Sequence, residues 1–106
     1  MNYVIPYITN SPPWWVGIDV YNHNADPVQI AIQFQRENGT AILNRTETVS
    51  SFAHYRTGDI PQDTVTIHIS GSNSLLVTAF QGMVDSLGHP TGISYLPVHQ
   101  ETNLKN

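Results

Sequence analysis

Five histidines, His23, His54, His68, His89 and His99, are the residues best suited to hold a metal or move a proton. Metal-binding chains place such residues in close pairs, as in H-x-H or HExxH, so that neighbouring side chains converge on one ion. No two histidines here are so spaced, and only folding could bring His54 to His68. Solvent-facing or hydrogen-bonding histidines are therefore the expectation, with no metal and no cofactor. Acid–base and nucleophilic chemistry have equally little to build on. Asp19, beside Tyr21 in a strand-like stretch, is either a buried functional carboxylate or a residue on the polar side of that strand. Asp59, Asp63 and Asp85 fall in loop-like segments, where Asp stabilises turns through its side chain. Ser50, Ser51 and His54 lie close in sequence, but no nucleophile elbow or oxyanion loop accompanies them. With no cysteine, thiol catalysis, disulfides and cysteine-ligated zinc are excluded. The residues predict a protein that is not an enzyme.

Binding is better represented. "PPWW" (Pro12 to Trp15) stands just before a strand, with Tyr3, Tyr7 and Tyr21 near it in sequence. Flat rings stack on the apolar faces of sugars, and Asn and Gln bond to hydroxyls, so a glycan or small-ligand platform is one reading. Trp is also enriched at protein interfaces. Because successive strand residues point to opposite faces, the two tryptophans cannot share the core. The expectation is one Trp against the core and the other against a neighbouring subunit or the first strand. Pro12 and Pro13 remove two backbone donors, which suits an edge without a ladder partner. The candidate ligand or interface residues are Tyr7, Trp14, Trp15, Tyr21, His54, Tyr55 and Phe80.

Composition narrows the partners. Of 106 residues, 40% are hydrophobic and only 11% charged, and the net charge is −4. A surface made from Asn, Gln, Ser, Thr and His suits subunit packing, because few ions must be desolvated. Four scattered cations, Arg36, Arg45, Arg56 and Lys105, supply little phosphate neutralisation and argue against nucleic acid. No run of apolar residues is long enough to span a bilayer. "MNYVIPYITN" lacks the basic start of a signal peptide. The expected compartment is the cytoplasm, without membrane insertion.

The elements that must carry these residues repeat with a period of two, the mark of half-buried strands. In "WWVGIDVYN", Val16, Ile18 and Val20 share one face, and Trp15, Gly17, Asp19 and Tyr21 the other. "VQIAIQFQ" alternates as cleanly, and the Asn38-Gly39 pair after it predicts a hairpin into a partner strand over Ala41 to Thr48. "TVTIHIS" alternates again. "LLVTAFQGMV" is apolar on both faces, as a central or interface strand would be. With no helical periodicity, the chain reads as a single-domain, all-β antiparallel sandwich of about seven to eight short strands. The domain is expected over residues 1–98, with a polar C-terminal tail over residues 99–106.

Three pieces carry a resemblance: "VYNHNADPVQIAIQFQRENGT", "FAHYRTGDIPQDTVTIHISGSNSLLVTAFQG" and "GISYLPV". Asn22, Ala25-Asp26, Ile60-Pro61 and Ser72-Asn73 are its telling positions, within about 80 residues from Ile18 to Val98. In this order of landmarks the chain resembles the small transducer family associated with microbial sensory rhodopsins. Its Trp14 to Gly17 stretch is also similar to a bacterial β-sandwich repeat that opens with Trp-x-x-Gly. The resemblance implies a soluble cytoplasmic sandwich that assembles into a homo-oligomer, typically a tetramer. It further implies action through protein partners in signalling rather than through chemistry. "PPWW" departs from the transducer pattern.

Overall fold

The protein is described by a computed structural model over residues 1–101, which carry nine strands and no helix. In chain order these are β1 (Asn2–Ile5), β2 (Trp14–Tyr21), β3 (Val28–Gln35), β4 (Ala41–Val49) and β5 (His54–Thr57). β6 (Thr66–Gly71), β7 (Leu76–Val84), β8 (Pro90–Leu96) and β9 (His99–Glu101) follow. They form a five-stranded sheet in the order β4-β3-β6-β1-β9 and a four-stranded sheet in the order β5-β2-β7-β8. Every neighbouring pair is antiparallel. The all-β sandwich expected from the two-residue period is the architecture found. It has nine strands because the short first strand pairs with β9, whose His99–Glu101 begin the stretch expected as a polar tail. The rest of that tail, 102–106, lies outside the described residues.

The alternation seen in the sequence is the alternation of burial. Val16, Ile18 and Val20 of β2, with Val28, Ile30, Ile32 and Phe34 of β3, enter one core together with Ile67 and Ile69 of β6. Each such side chain contributes about 1.5–3 kcal/mol by leaving water. β7 is central, between β2 and β8, which accounts for its apolar residues on both faces. Tyr3 belongs to this core as well, and its hydroxyl accepts the buried Leu75 N–H at 2.8 Å. It is therefore no part of an exposed aromatic group.

The β3–β4 hairpin forms where Asn38-Gly39 predicted it, although only Gly39 takes a positive φ, of 85°. Gly39 N–H donates to the Arg36 carbonyl, Arg36 N–H to the Thr40 carbonyl, and Thr40 N–H to Asn38 Oδ1. The result is a three-residue loop ending in a left-handed glycine rather than a two-residue turn.

Asn22, at the end of β2, is fully buried and ties three segments together. Its Nδ2 donates to the carbonyls of Asp26, Val49 and Ser50 at 2.8, 3.0 and 3.1 Å, and its Oδ1 accepts from Asn24 N–H. Between β1 and β2 the chain crosses from one sheet to the other. Ile8 is buried there, and Asn10 Nδ2 donates to the carbonyls of Ile60 and Pro61. Pro12 and Pro13 end this crossing, joined by a cis peptide bond. The strand they lead into is paired along its length with β7, and the Pro13 carbonyl accepts Val84 N–H at 3.0 Å. β5 joins its other side only from Ile18 to Tyr21, so Trp14 to Gly17 have no ladder partner there among the described residues.

Candidate functional site

The core-facing residues of β2 leave Trp15, Asp19 and Tyr21, with Gly17 between them, on the outer face of the four-stranded sheet. Register then decides what joins them. Along β7, Gly82, Phe80, Thr78 and Leu76 lie opposite Trp15, Gly17, Asp19 and Tyr21 in turn. On β8, Ile93 pairs with Gly82 and Tyr95 with Phe80; on β5, Arg56 pairs with Asp19 and His54 with Tyr21. Directly opposed residues share a face. One side of the sandwich thus carries aromatic and aliphatic side chains around a single carboxylate.

Two glycines shape that face. A Cβ at Gly17 would come within 2.6 Å of the Phe80 ring. One at Gly82 would come within 2.6 Å of both the Trp15 ring and the Gly92 carbonyl oxygen. Each ring therefore lies down across the strand where a glycine opposes it, a close approach that only a missing side chain permits. The two rings meet edge to face, with centroids 5.9 Å apart and planes at 78°. The outer part of the face stays open: Tyr95, Ile93 and Leu76 are 78%, 62% and 58% exposed.

Asp19 sits at the centre of the polar part. Its side chain is 17% exposed, and Arg56 Nε donates to Oδ1 at 3.0 Å. His54 Nδ1 lies 3.0 Å from both carboxylate oxygens, and the His54 ring stacks on Tyr21 at 4.5 Å. The Arg56 and His54 side chains are 69% and 41% exposed, so water screens both pairs and they orient side chains more than they stabilise the fold. A shallow hollow of about 390 Å³ opens here, lined by Asp19, Arg56, Thr78, Phe80, Ile93 and Tyr95.

Of the residues singled out from the sequence, Trp15, Tyr21, His54 and Phe80 come together on this face. Tyr55, one residue after His54, turns inward and packs against the core. Trp14 points to the inner side of its sheet but stands at the strand end, 37% exposed, so neither tryptophan is in the core. Tyr7 is exposed in the β1–β2 crossing, beside Gln62 and Asp63. The sequence reading missed Leu76, Thr78, Ile93 and Tyr95, and left Asp19 and Arg56 without partners. The period-two pattern already put Asp19 beside Trp15 and Tyr21, but only strand register adds the residues of β5, β7 and β8.

His54 and His68 do not converge. His68 lies on the outer face of the five-stranded sheet, paired with Val4 and Gln33 between the buried Ile67 and Ile69. Ser51 Oγ donates to the Asn24 carbonyl, beside the Asn22 knot, while the His54 ring faces Asp19 and Tyr21. Among the described residues, no group of three or more His, Asp or Glu side chains is arranged to hold a metal ion. No helix among them is long and apolar enough to cross a membrane. The site presents exposed apolar side chains, the Asp19–Arg56 ion pair with His54 beside it, and the exposed Tyr95 phenol. In comparisons with known proteins, no family model matches the chain, and neither a curated protein nor a solved structure matches it.

Proposed function

We propose that this protein is a non-enzymatic, oligomeric β-sandwich adaptor that works through protein–protein contact, and that the outer face of its four-stranded sheet is the working surface. One observation carries the reading: on the side of that sheet away from the core, Ile93 and Tyr95 stand exposed beside the half-buried Phe80, with exposed Leu76 beyond Thr78 on the same strand face. Clustered exposed apolar side chains on a folded domain mark interaction sites. The low charge fraction, 11%, supports the same role, because little charge needs desolvation when such a face is covered. The resemblance to the transducer family adds a homo-oligomer, with a tetramer favoured, a cytoplasmic location and a protein partner in signalling.

A glycan or small-ligand module is the second reading, favoured by the hollow that Tyr95 lines together with Asp19 and Arg56. The perpendicular rings of Trp15 and Phe80 weigh against it, since a flat sugar cannot stack on both at once. Aliphatic Leu76 and Ile93 lend hydrophobic area but no ring face. Light scattering coupled to size exclusion, over a wide dilution series of tag-free protein, tests the adaptor reading. An oligomer that persists on dilution is expected; a monomer at every concentration overturns it. Titration with simple sugars, read by Trp fluorescence, tests the alternative.

A further inference from the structure

Four strands end the two sheets, and three of them carry features that discourage further pairing. β4 turns Arg45 and Glu47 toward the inner side, opposite Ile32 and Ile30, and Arg45 lies over the Phe34 ring. β5 is four residues long with Arg56 near its end, and β9 is three residues long and ends in Glu101. Short strands and charged or inward-pointing charged residues are the usual protection of an exposed edge. β8 differs. From Ser86 to Val98 there is no Asp, Glu, Lys or Arg, and along β8 every residue but Leu96 is exposed. Among the described residues nothing pairs with its outer edge. Pro90, the irregular pairing around Gly92 and Pro97 bracket a regular stretch, Ile93–Leu96.

We propose that β8 pairs with β8 of a second copy of this chain, antiparallel about a dyad at Ser94, so that two four-stranded sheets become one of eight. The inference rests on the oligomeric reading above and names the contact. Self-complementarity selects a second copy as the occupant. A dyad at Ser94 sets Ile93 opposite Tyr95 of the other copy and Tyr95 opposite its Ile93, and cross-strand pairs of aromatic with β-branched residues are among the favourable ones. No like charges meet, because the strand has none. The contact is isologous and closed, as in the commonest homodimers. It also joins the two apolar outer faces into one surface, because Ile93 and Tyr95 lie on that side of each sheet.

The chain has no cysteine, so single substitutions report the contact cleanly. Directly opposed residues of an antiparallel pair have Cα atoms about 4.5 or 5.5 Å apart, inside the range of about 4.4–6.8 Å that a disulfide spans. Ser94→Cys is expected to form a covalent dimer under mild oxidation. Its rate should exceed that of Thr46→Cys, on the outer face of the other sheet, by at least roughly ten times, because paired strands hold their thiols at an effective concentration in the millimolar range. Tyr95→Cys fixes the register. Its two copies sit one residue off the dyad on either side, beyond disulfide reach, and are expected to cross-link no faster than Thr46→Cys although both positions are exposed. Equal rates for Ser94→Cys and Thr46→Cys, in protein that sediments as an oligomer, overturn the β8 pairing and leave the oligomeric reading standing. Tyr95→Cys linking as fast as Ser94→Cys overturns the register, and wild-type protein that is monomeric throughout overturns both readings.

Discussion

Replacing Gly82 by alanine should reverse the effect that alanine normally has in a strand. Elsewhere the exchange stabilises, by about 0.5–1 kcal/mol, because glycine loses more backbone freedom on folding. At Gly82 the new methyl carbon would stand 2.6 Å from the Gly92 carbonyl oxygen and 2.6 Å from the Trp15 ring. The ring can lift, but the carbonyl is backbone, so β7 and β8 must part. Overpacking of this kind costs about 1–3 kcal/mol, and the net loss should be about 1–2 kcal/mol. In a chain of this size that lowers Tm by roughly 4–8 °C for each kcal/mol. Two other glycines calibrate the argument. Gly17→Ala meets only the far end of the Phe80 ring, which can swing away, so its loss should be smaller. Gly58→Ala meets a single backbone oxygen at an ordinary 3.7 Å and should stabilise by about 0.4–1 kcal/mol. Urea midpoints at one fixed protein concentration give the order, and Trp15 emission in a Trp14→Phe background reports whether the ring has lifted. If Gly82→Ala is as stable as Gly58→Ala and Trp15 emission is unchanged, the packing of that ring onto the sheet is refuted.

Asn22→Ala strips donors from the Asp26, Val49 and Ser50 carbonyls and should cost about 2–4 kcal/mol, a large part of the ~5–15 kcal/mol that holds a domain together; a urea midpoint within error of wild type would contradict the knot. Among the described residues nothing hydrogen-bonds to the buried Gln81 Oε1, so Gln81→Met should leave the midpoint unchanged or raise it by up to about 1 kcal/mol. A clear loss would show that the oxygen is engaged. Asp19→Asn weakens pairs to two partly solvated partners and should change stability by less than about 1 kcal/mol, measured in the same denaturation series.

Much of the fold was legible because alternation is local. β2, β3 and β6 each declare their buried face within a few residues, and Asn38-Gly39 marks the turn that returns β4 to β3. The site was legible only in halves. Trp15, Asp19 and Tyr21 fall on one face by parity alone, yet Tyr95 and Ile93, far along the chain, join them only through two successive pairings, β2 with β7 and β7 with β8. No period in a single strand encodes that register. Tyr3 and Tyr7 show the converse failure. Both looked like parts of one aromatic group, but Tyr3 completes the core and Tyr7 lies in the crossing between sheets. The tryptophan pair was misplaced for a related reason: alternation gives the side of a sheet, whereas burial depends on how far the facing sheet extends, and Trp14 stands where its strand begins.

Sedimentation velocity on wild type, a Leu76→Glu/Tyr95→Glu variant and a Thr46→Glu control, at one protein concentration, tests the central claim most directly. Leu76 and Tyr95 lie on the outer face of the four-stranded sheet and are mostly exposed, so charge there should leave the fold intact while opposing its burial against another chain. Wild type and Thr46→Glu are predicted to sediment as the same oligomer, and the double variant as a smaller species with an unchanged circular dichroism spectrum. A double variant that keeps the wild-type assembly, or a wild type that is already monomeric, would contradict the assignment of this face as the protein's contact surface.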